Sequence, residues 1–542
     1  MRDRGHYNKL RLPYATPYVP LVRSGKNCYY NLVNSWARSE VGLSRLPVTE
    51  EIAGSNPVGP AKKSASPLWW CFFRILRELR IGYSKKMTRT QKLALIISIL
   101  ASFVAFLDGS VVNVALPAIT RELGGGLTTQ QWVVDAYLIT LGSLMLLAGS
   151  LSDLYGRKRI MTYGLIGFGA ASLLCAVAPT AELLVGARAL QGISGALLVP
   201  SSLALIIATF KGKSEGTAIG SWTAWTGIAY IIGPILGGFL VDTASWRLVF
   251  AINAIPVILC LFLLARLSTE DHRQAVRLDG WGALLCSLGL SGLVFGLIEQ
   301  PHYGWTHPLV LGSTLGGFLL LLMFVWYERR AKSPMLPLSL FSIGNFRAGN
   351  IATFGIYGGL SIATFLLAIY LQQIVGYSAL SAGMALLPVT IIMFFLSSKF
   401  GALAGKYGPR LFMTAGPLIA GVSFVFFALL PHHPSYWVHI LPSVLVFGLG
   451  LSMTVAPLTA AVLGHIPSGE AGIASAINNA VARIAGLLTI ALIGVVTGAQ
   501  LTITSFQRAM FVTALLVAAG GIVSWIGVSN APAHKRPRST QN

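Results

Sequence analysis

The sequence predicts an all-α polytopic membrane protein, and three features of its composition support this. Of its 542 residues, 54% are hydrophobic and only 11% are charged, against about a quarter charged in soluble globular proteins. The mean hydropathy is +0.69. These values exclude a soluble multidomain enzyme, a disordered chain and a disulfide-linked secreted scaffold.

Fourteen apolar runs follow the first ninety or so residues. Each is about as long as the ~20 residues that a helix needs to cross a bilayer, and only helices satisfy their own backbone hydrogen bonds over such lengths. We therefore predict fourteen transmembrane helices. They cover residues 93–113, 129–150, 159–178, 182–208, 217–241, 247–267, 279–299, 308–327, 348–371, 379–403, 411–430, 436–462, 471–498 and 508–528.

The basic residues alternate between the two sides of these helices. Every second connection except the one between spans 12 and 13, which has no Lys or Arg, is rich in these residues, for example Arg157, Lys158 and Arg159, whereas the opposite connections carry sparse charge. Cytoplasmic loops carry such an excess, so both termini are predicted to be cytoplasmic and the chain to be a multi-pass protein of the cell membrane. The formal charge of +22 is explained in this way, and nucleic acid is not an expected partner.

The first 86 residues differ from the rest. They contain 15 Lys and Arg, five Asp and Glu, and no sustained periodicity before residue 67. Trp69–Lys86 fits a basic helix on the membrane surface. A second interpretation is that translation starts at Met87 and that residues 1–86 are a mis-called start, since Gly54-Ser-Asn-Pro57 is what a common tRNA sequence would encode. We expect residues 1–86 to be a mis-called start or a disordered extension.

Two loops show an internal repeat. Gly149–Lys158 and Gly401–Arg410 agree at four positions in identity, at an offset of 252 residues. Parallel repeats of this kind place two helix bundles around a central cavity. The predicted organisation is a six-helix half (87–268), two inserted helices with cytoplasmic linkers (269–346), a second six-helix half (347–530) and a basic tail (531–542).

The first of these loops carries the most specific motif. Its pattern G-x-x-x-D-x-x-G-R-K-R resembles the signature loop of the major facilitator superfamily. The resemblance implies the major facilitator fold and a conformational latch between the two halves; the alternative is an ordinary basic loop. The latch residues are Gly149, Asp153, Gly156, Arg157, Lys158 and Arg159.

The first span contains Leu107-Asp108-Gly-Ser-Val-Val-Asn113-Val-Ala-Leu-Pro117. This resembles the first-helix motif of the fourteen-span drug/proton antiporters of that superfamily. A carboxyl within hydrocarbon is costly unless it pairs, protonates or lines water. Asp108 is therefore predicted to carry protons, and the alternative is a hydrogen-bond anchor with Asn113.

Two further charged residues lie within spans. Asp135, in Gln130-Gln-Trp132-Val-Val-Asp135, is predicted to share the proton-coupling role. Arg188 begins Arg188-Ala-Leu-Gln191-Gly192, which matches the family's R-x-x-Q-G motif. Because a buried arginine keeps its charge, we expect Arg188 to pair with Asp108 in one conformation and release it in another; a static ion pair is the alternative.

The fifth span reads Gly227-Ile-Ala-Tyr-Ile-Ile-Gly233-Pro234-Ile-Leu-Gly237-Gly238. It resembles the glycine-proline motif of exporting members of the superfamily, and small residues allow helices to approach closely in lipid. The alternative is general packing glycine. The candidate cavity residues are Asn113, Gln191, Trp225, Tyr230, Phe354, Tyr357 and Arg483.

The resemblance implies a proton-coupled exporter of small amphipathic molecules, such as drugs, and not an enzyme. Its partners would be the lipid bilayer, protons and a small-molecule substrate; two intramembrane carboxyls suggest lipophilic cations. No phosphate-binding loop or metal-ligand pattern appears in the sequence, so no cofactor, and no ATP, is expected. The alternatives are a nutrient importer on the same fold and a non-transporting membrane sensor or scaffold.

Overall fold

The computed structural model describes residues 87–268, 278–464, 466 and 470–530. The expectations for the N-terminal 86 residues and for the basic tail therefore lie outside the described residues. So does most of the connection around His465.

The described residues form fourteen helices long and apolar enough to cross a membrane, which confirms the fourteen predicted spans. Four of them are interrupted or irregular at one point. In chain order they are α1 (Arg89–Leu123), α2 (Gly126–Tyr155), α3 (Arg157–Val177), α4 (Ala181–Thr209), α5 (Lys213–Thr243), α6 (Arg247–Ala251 and Ala254–Ala265), α7 (Gly280–Tyr303), α8 (Pro308–Glu328), α9 (Gly344–Gln373), α10 (Ala379–Ala385 and Leu387–Tyr407), α11 (Pro409–Ala428), α12 (Tyr436–Ile440, a π-turn, and Leu441–Leu463), α13 (Ala471–Ala491 and Ile493–Thr497) and α14 (Ile503–Gly527).

The largest boundary error is at the end of the first span. The apolar pattern predicts an end near residue 113, but α1 continues through Pro117 to Leu123. Residues 114–119 are themselves apolar, so the apolar run continues past the predicted end, and the helix accommodates Pro117 within it. Thr88 begins α1 with a capping box: its hydroxyl accepts a hydrogen bond from the Gln91 backbone N–H, and its own backbone N–H donates one to the Gln91 side chain, which satisfies free donors at the helix start.

The helices pack as two bundles with a hairpin beside them. Helices α1 to α6 pack on one another, α9 to α14 do the same, and α2 packs against α13 between the bundles. The hairpin α7–α8 packs on both α2 and α13 through α7. Apolar residues of all four helices form one buried cluster there, including Ile139, Val294 and Leu487. The inserted hairpin therefore covers one seam between the two bundles.

The repeated loops have matching backbone geometry. Gly156 ends α2 and begins α3 with φ of 99°, and Gly408 ends α10 and begins α11 with φ of 88°. L-residues other than glycine rarely adopt this conformation. The two copies of the motif therefore use their second glycine for the same turn.

The bundles are closed on the side predicted to face outwards. Helix α5 packs on the first segment of α10 and barely on the second. The Asp242 carboxylate, near the end of α5, accepts hydrogen bonds from the backbone N–H groups of Ala379 and Leu380, at 3.0 and 2.8 Å. On the opposite side, predicted to face the cytoplasm, α5 is more open, with Tyr230 44% exposed. The conformation is thus closed on the predicted outer side and open on the predicted cytoplasmic side.

Candidate functional site

A buried ion pair lies inside the first bundle. The Asp108 Oδ2 of α1 is 2.5 Å from the Arg188 Nη1 of α4, and their side chains are 0% and 2% exposed. Gln191 and Asn253 donate hydrogen bonds to the other carboxylate oxygen, at 2.8 and 2.9 Å. Both oxygens of Asp108 are therefore satisfied, as an ionised carboxylate inside a membrane requires.

The guanidinium of Arg188 has several further partners. Its Nε donates to the backbone carbonyl of Val133 at 2.9 Å, and its Nη1 donates to Gln191 at 2.6 Å. The Tyr137 ring lies 4.3 Å below it, an arrangement that favours a cation. A buried ion pair offsets its desolvation only when such extra hydrogen bonds are present, and here they are.

Close packing of α2 on α4 brings these groups together. A Cβ placed at Gly192 would collide with the backbone carbonyl of Tyr137 and with Thr140 Oγ1. The glycine therefore allows the backbone contact that positions Arg188 and Gln191 beside α2. This is a structural reason for the glycine in the R-x-x-Q-G motif.

The structure changes the interpretation of two predicted neighbours. Asn113 is half-buried on α1 and is not among the groups bonded to Asp108, so the alternative of an Asp108–Asn113 anchor is wrong. The amide that fulfils this role is Asn253 of the turn inside α6. Asn253 is 145 residues from Asp108 in the sequence, and only the fold shows that it lies beside it.

Asp135 lies in the opposite kind of environment. It is 0% exposed, and neither carboxyl oxygen has a hydrogen-bond partner among the described residues. It shares a face of α2 with Gln131, four residues before it, and Gly142, seven after it. Gln131 donates to the Ile490 carbonyl at 2.6 Å, and Gly142 contacts Arg483, so this face meets α13. Asp135 therefore lies in the seam between the bundles.

The inserted hairpin covers the neighbouring face of α2. Trp132 Nε1 donates to Glu299 at 2.8 Å, and Ser287 donates to Ser143 at 2.9 Å. Both partners belong to α7. These polar contacts lie on either side of Asp135 along the helix, and they attach the hairpin beside the buried carboxyl.

A second buried cation lies across the bundles. The guanidinium of Arg483, on α13, is 5.3 Å from the ring centroid of Phe106 on α1. Phe106 in turn packs on Tyr230 of α5, with ring centroids 5.9 Å apart. The phenols of Tyr137, Tyr230 and Tyr357 interact electrostatically with Arg483. Of the predicted cavity residues, the structure thus brings Tyr230, Tyr357 and Arg483 together.

The other cavity candidates are placed elsewhere. Gln191 belongs to the Asp108 cluster. Trp225 is half-buried and Phe354 is 37% exposed, and neither makes a ring contact within the described part of the chain. Helix periodicity places such aromatic residues on a span but does not select the face that meets the other bundle.

The signature loop is held within the first bundle. Arg157 contacts Asp153 at 3.3 Å, with both side chains partly exposed. Lys158 Nζ donates to the Leu267 carbonyl at the end of α6, 2.7 Å away. Gly149 faces Pro200 of α4, and Arg159 is exposed. The latch role of this loop remains a prediction.

The glycines of α5 serve two contacts. Gly233 and Gly237 allow α5 to lie against Ser110 and Val111 of α1, whereas Gly238 faces Leu380 of α10. A Cβ added at Gly383 of α10 would lie only 2.5 Å from the backbone carbonyl oxygen of Pro234. Gly227 faces open space. The glycine-proline motif therefore joins α5 to its own bundle and closes the outer side.

Two helical bundles, a buried ion pair and a seam containing an unpaired carboxyl define a multi-pass membrane protein of the transporter class. The family model of the Major Facilitator Superfamily matches residues 98–490 of this chain. The chain belongs to the major facilitator superfamily.

Its relatives include proteins named for drug resistance. It is 36% identical to the puromycin resistance protein of Streptomyces alboniger, with 75% of this chain and 82% of the relative covered. It is 35% identical to a multidrug resistance protein of Mycobacterium tuberculosis (77% and 78% covered) and 33% identical to the methylenomycin A resistance protein of Bacillus subtilis (78% and 91% covered).

Solved structures share the fold at low identity. A peptide transporter in complex with sulfate matches with a TM-score of 0.61 and 14% identity, covering 82% of this chain and 94% of that one. A bacterial homologue of the lysosomal transporter Spinster, in an inward-facing conformation, matches with a TM-score of 0.59 and 14% identity, covering 81% and 97%.

Proposed function

We propose that this protein is a proton-coupled exporter of small amphipathic molecules, including drugs, in the cytoplasmic membrane. Both termini would be cytoplasmic, and the proton gradient rather than ATP would drive export. The names of the relatives support drug efflux, and the glycine-proline helix α5 supports export over import. The single observation that carries proton coupling is the contrast between Asp108 and Asp135.

Asp108 is in a site built for an ionised carboxylate. Arg188 neutralises its charge, and two amides occupy its remaining acceptor positions. Because a guanidinium stays protonated, a neutral Asp108 would leave Arg188 as a buried unpaired charge. The cytoplasm-open conformation therefore holds Asp108 in its ionised form.

Asp135 is in a site that fits only a neutral carboxyl. An ionised carboxylate buried without a partner costs several kcal/mol, whereas a protonated carboxyl costs about what an unpaired polar group does. Asp135 therefore carries a proton in this conformation. Opening the outer side would separate α2 from α13 and bring water to Asp135, where it exchanges its proton with the outside.

The cycle follows from these two states. With the outer side open, the Asp135 carboxylate takes a proton from the outer water as substrate leaves, and only the neutral form permits the seam to close. The closed seam seen here would be the proton-loaded state; release of the proton to the cytoplasm requires a small separation of α2 from α13 that admits water from the cytoplasmic side, and substrate binding then precedes the return. Arg188 would hold Asp108 ionised in one conformation and release it in the other, and the loop Gly149–Arg159 would latch the bundles.

Transport by everted membrane vesicles tests this function. With an imposed inward-acidic gradient, we expect wild-type vesicles to accumulate at least one drug of a panel that includes fluorescent aromatic acids and aromatic cations, and to lose it when an uncoupler is added. Asp108→Asn and Asp135→Asn should abolish gradient-driven accumulation. Glu122→Gln is the matched control, because Glu122 is a half-exposed carboxyl at the outer end of the same helix as Asp108.

Two results would overturn the proposal. Accumulation only with the opposite gradient would identify an importer. Wild-type vesicles that move none of a panel of drugs, with the protein present in the membrane, would favour a sensor or scaffold.

A further inference from the structure

Arg483 is a cationic residue that has no part in the proposed proton coupling by Asp108, Asp135 and Arg188. It is partly buried in the middle of α13, and none of the ion pairs between described residues includes it. The sequence of α9 to α14 contains no Asp or Glu within any helix. Its counter-charge therefore does not come from its own bundle.

The groups around Arg483 are phenols and an aromatic ring. The phenols of Tyr137, Tyr230 and Tyr357 lie in the neighbourhood of the guanidinium, and the Phe106 ring centroid lies 5.3 Å from it. Aromatic faces and hydroxyl oxygens lower the cost of burying a cation, but they do not neutralise it. An arginine in such a place keeps its charge and retains donors that fit a carboxylate or phosphate.

This site is open to the cytoplasm. Tyr230 contacts Phe106 and interacts with Arg483 of the other bundle, yet it is 44% exposed. A residue that lies between the two bundles and still has half its surface free borders the space between them. A molecule that enters this space from the cytoplasm would therefore be within reach of both the aromatic rings and the guanidinium.

We propose that Arg483 binds the anionic group of the exported substrate, while Phe106, Tyr230 and Tyr357 pack against its aromatic or apolar body. The substrate class is then an amphipathic aromatic acid, bearing a carboxylate, sulfonate or phosphate. This inference rests on the proposed export function and specifies its cargo.

The same geometry disfavours the lipophilic cations expected from two intramembrane carboxyls. Asp108 is already neutralised by Arg188, and both Asp108 and Asp135 are 0% exposed. A cation in this cavity would find no available carboxylate there and would be repelled by Arg483.

Equilibrium binding to purified protein tests the inference without a proton gradient. The probes are 1-pyrenebutyrate, an aromatic acid, and ethidium, an aromatic cation, in phosphatidylcholine nanodiscs. We expect Arg483→Gln to weaken pyrenebutyrate binding by roughly tenfold to a hundredfold, the range for a hydrogen-bonded charge. Arg483→Lys should weaken it less, because the charge remains. Arg508→Gln, an exposed arginine of α14, should leave binding unchanged.

Tyr230→Phe provides a second variant that keeps the ring and the fold. We expect this variant to bind pyrenebutyrate nearly as well as wild type, because the ring that packs against the body of the ligand remains. Nanodiscs containing phosphatidylglycerol separate two sources of the anionic group. Arg483-dependent competition by this lipid would assign the site to an anionic lipid, whereas unchanged affinity would assign it to a free aromatic acid.

The inference and the proposed function fail differently. Equal binding of pyrenebutyrate to wild type and Arg483→Gln, or tighter binding of ethidium than of pyrenebutyrate to wild type, would overturn the substrate assignment even if efflux is observed. Loss of all gradient-driven transport by wild-type vesicles would overturn the export function even if Arg483 binds the acid.

Discussion

Asp108 and Asp135 are both fully buried carboxyls of the first bundle, but their surroundings differ. Asp108 accepts hydrogen bonds from an arginine and two amides. Asp135 has no hydrogen-bond partner among the described residues. Asp108 lies inside one bundle, whereas Asp135 faces the other bundle across the α2–α13 seam.

The difference teaches that burial alone does not identify a proton carrier. A carboxyl whose charge is matched within a rigid bundle is stable as an ion while that bundle keeps its shape. A carboxyl in a seam between moving parts changes its contact with water when the parts move. In the proposed cycle, the seam residue Asp135 is therefore the one whose proton would follow the conformational change.

The largest expected effect is on stability and separates the two residues. Asp108→Asn leaves the Arg188 charge buried without its counter-charge and should cost about 3–5 kcal/mol of unfolding free energy. Asp135→Asn replaces one neutral polar group by another of the same size and should cost under about 1 kcal/mol. Thermal unfolding in detergent measures both. Equal losses would remove the distinction drawn between the two carboxyls.

The Asp108→Asn defect should be rescued by removing the opposing charge. In the double variant Asp108→Asn/Arg188→Gln the cluster is neutral and retains hydrogen-bonding amides. We expect the double variant to be more stable than Asp108→Asn alone by about 1–3 kcal/mol, a coupling typical of contacting residues. A double variant whose loss equals the sum of the single losses would argue against a direct ion pair.

The next effect concerns the side on which the seam opens. Gly238→Ala places a Cβ 2.5 Å from the Leu380 backbone, which should force α5 away from α10 and favour opening to the outside. The cost should be about 1–3 kcal/mol, as for overpacking. Distances between spin labels on the outer ends of α5 and α10 measure the shift. Gly227→Ala is the control, since Gly227 faces open space, and an equal shift in both variants would contradict the account.

The smallest effect is expected at the signature loop. The Asp153–Arg157 pair is 37% and 20% exposed, and exposed pairs contribute about 0–1 kcal/mol. Asp153→Asn should therefore leave thermal stability nearly unchanged while lowering the rate of transport, if the loop is a latch. Stability and vesicle uptake measured on the same variant separate these roles. If uptake is unchanged, the loop is not a latch, and its positive charge serves only to orient the protein in the membrane.

The sequence predicts most of the fold because each span is a local property. Run length alone identifies all fourteen helices, and loop charge predicts their direction. The helix ends are less accurate, as in α1, where apolar residues continue past the predicted end and the helix accommodates Pro117. The breaks at residues 386 and 492 are not visible in the hydropathy, since apolar residues continue through them.

The candidate site was predictable only in part. Asp108, Asp135, Arg188 and Arg483 stand out because charges are rare in apolar runs. Their partners depend on which helix faces meet, so the hydrogen bond from Asn253 and the missing partner of Asp135 require the packing. Both Trp225 and Tyr230 of α5 were predicted to line the cavity, but only Tyr230 lies beside Arg483. The cause is the same, because two aromatic residues of one span lie on different faces of the helix.

Infrared difference spectroscopy of the purified transporter at neutral pH tests the central claim most directly. The signal is the carbonyl stretch of protonated carboxyl groups, compared between wild type and the two Asp→Asn variants. We expect wild type minus Asp135→Asn to show a protonated carboxyl band, and wild type minus Asp108→Asn to show none. A band that vanishes with Asp108 and persists without Asp135 would contradict the assignment of the proton to the seam.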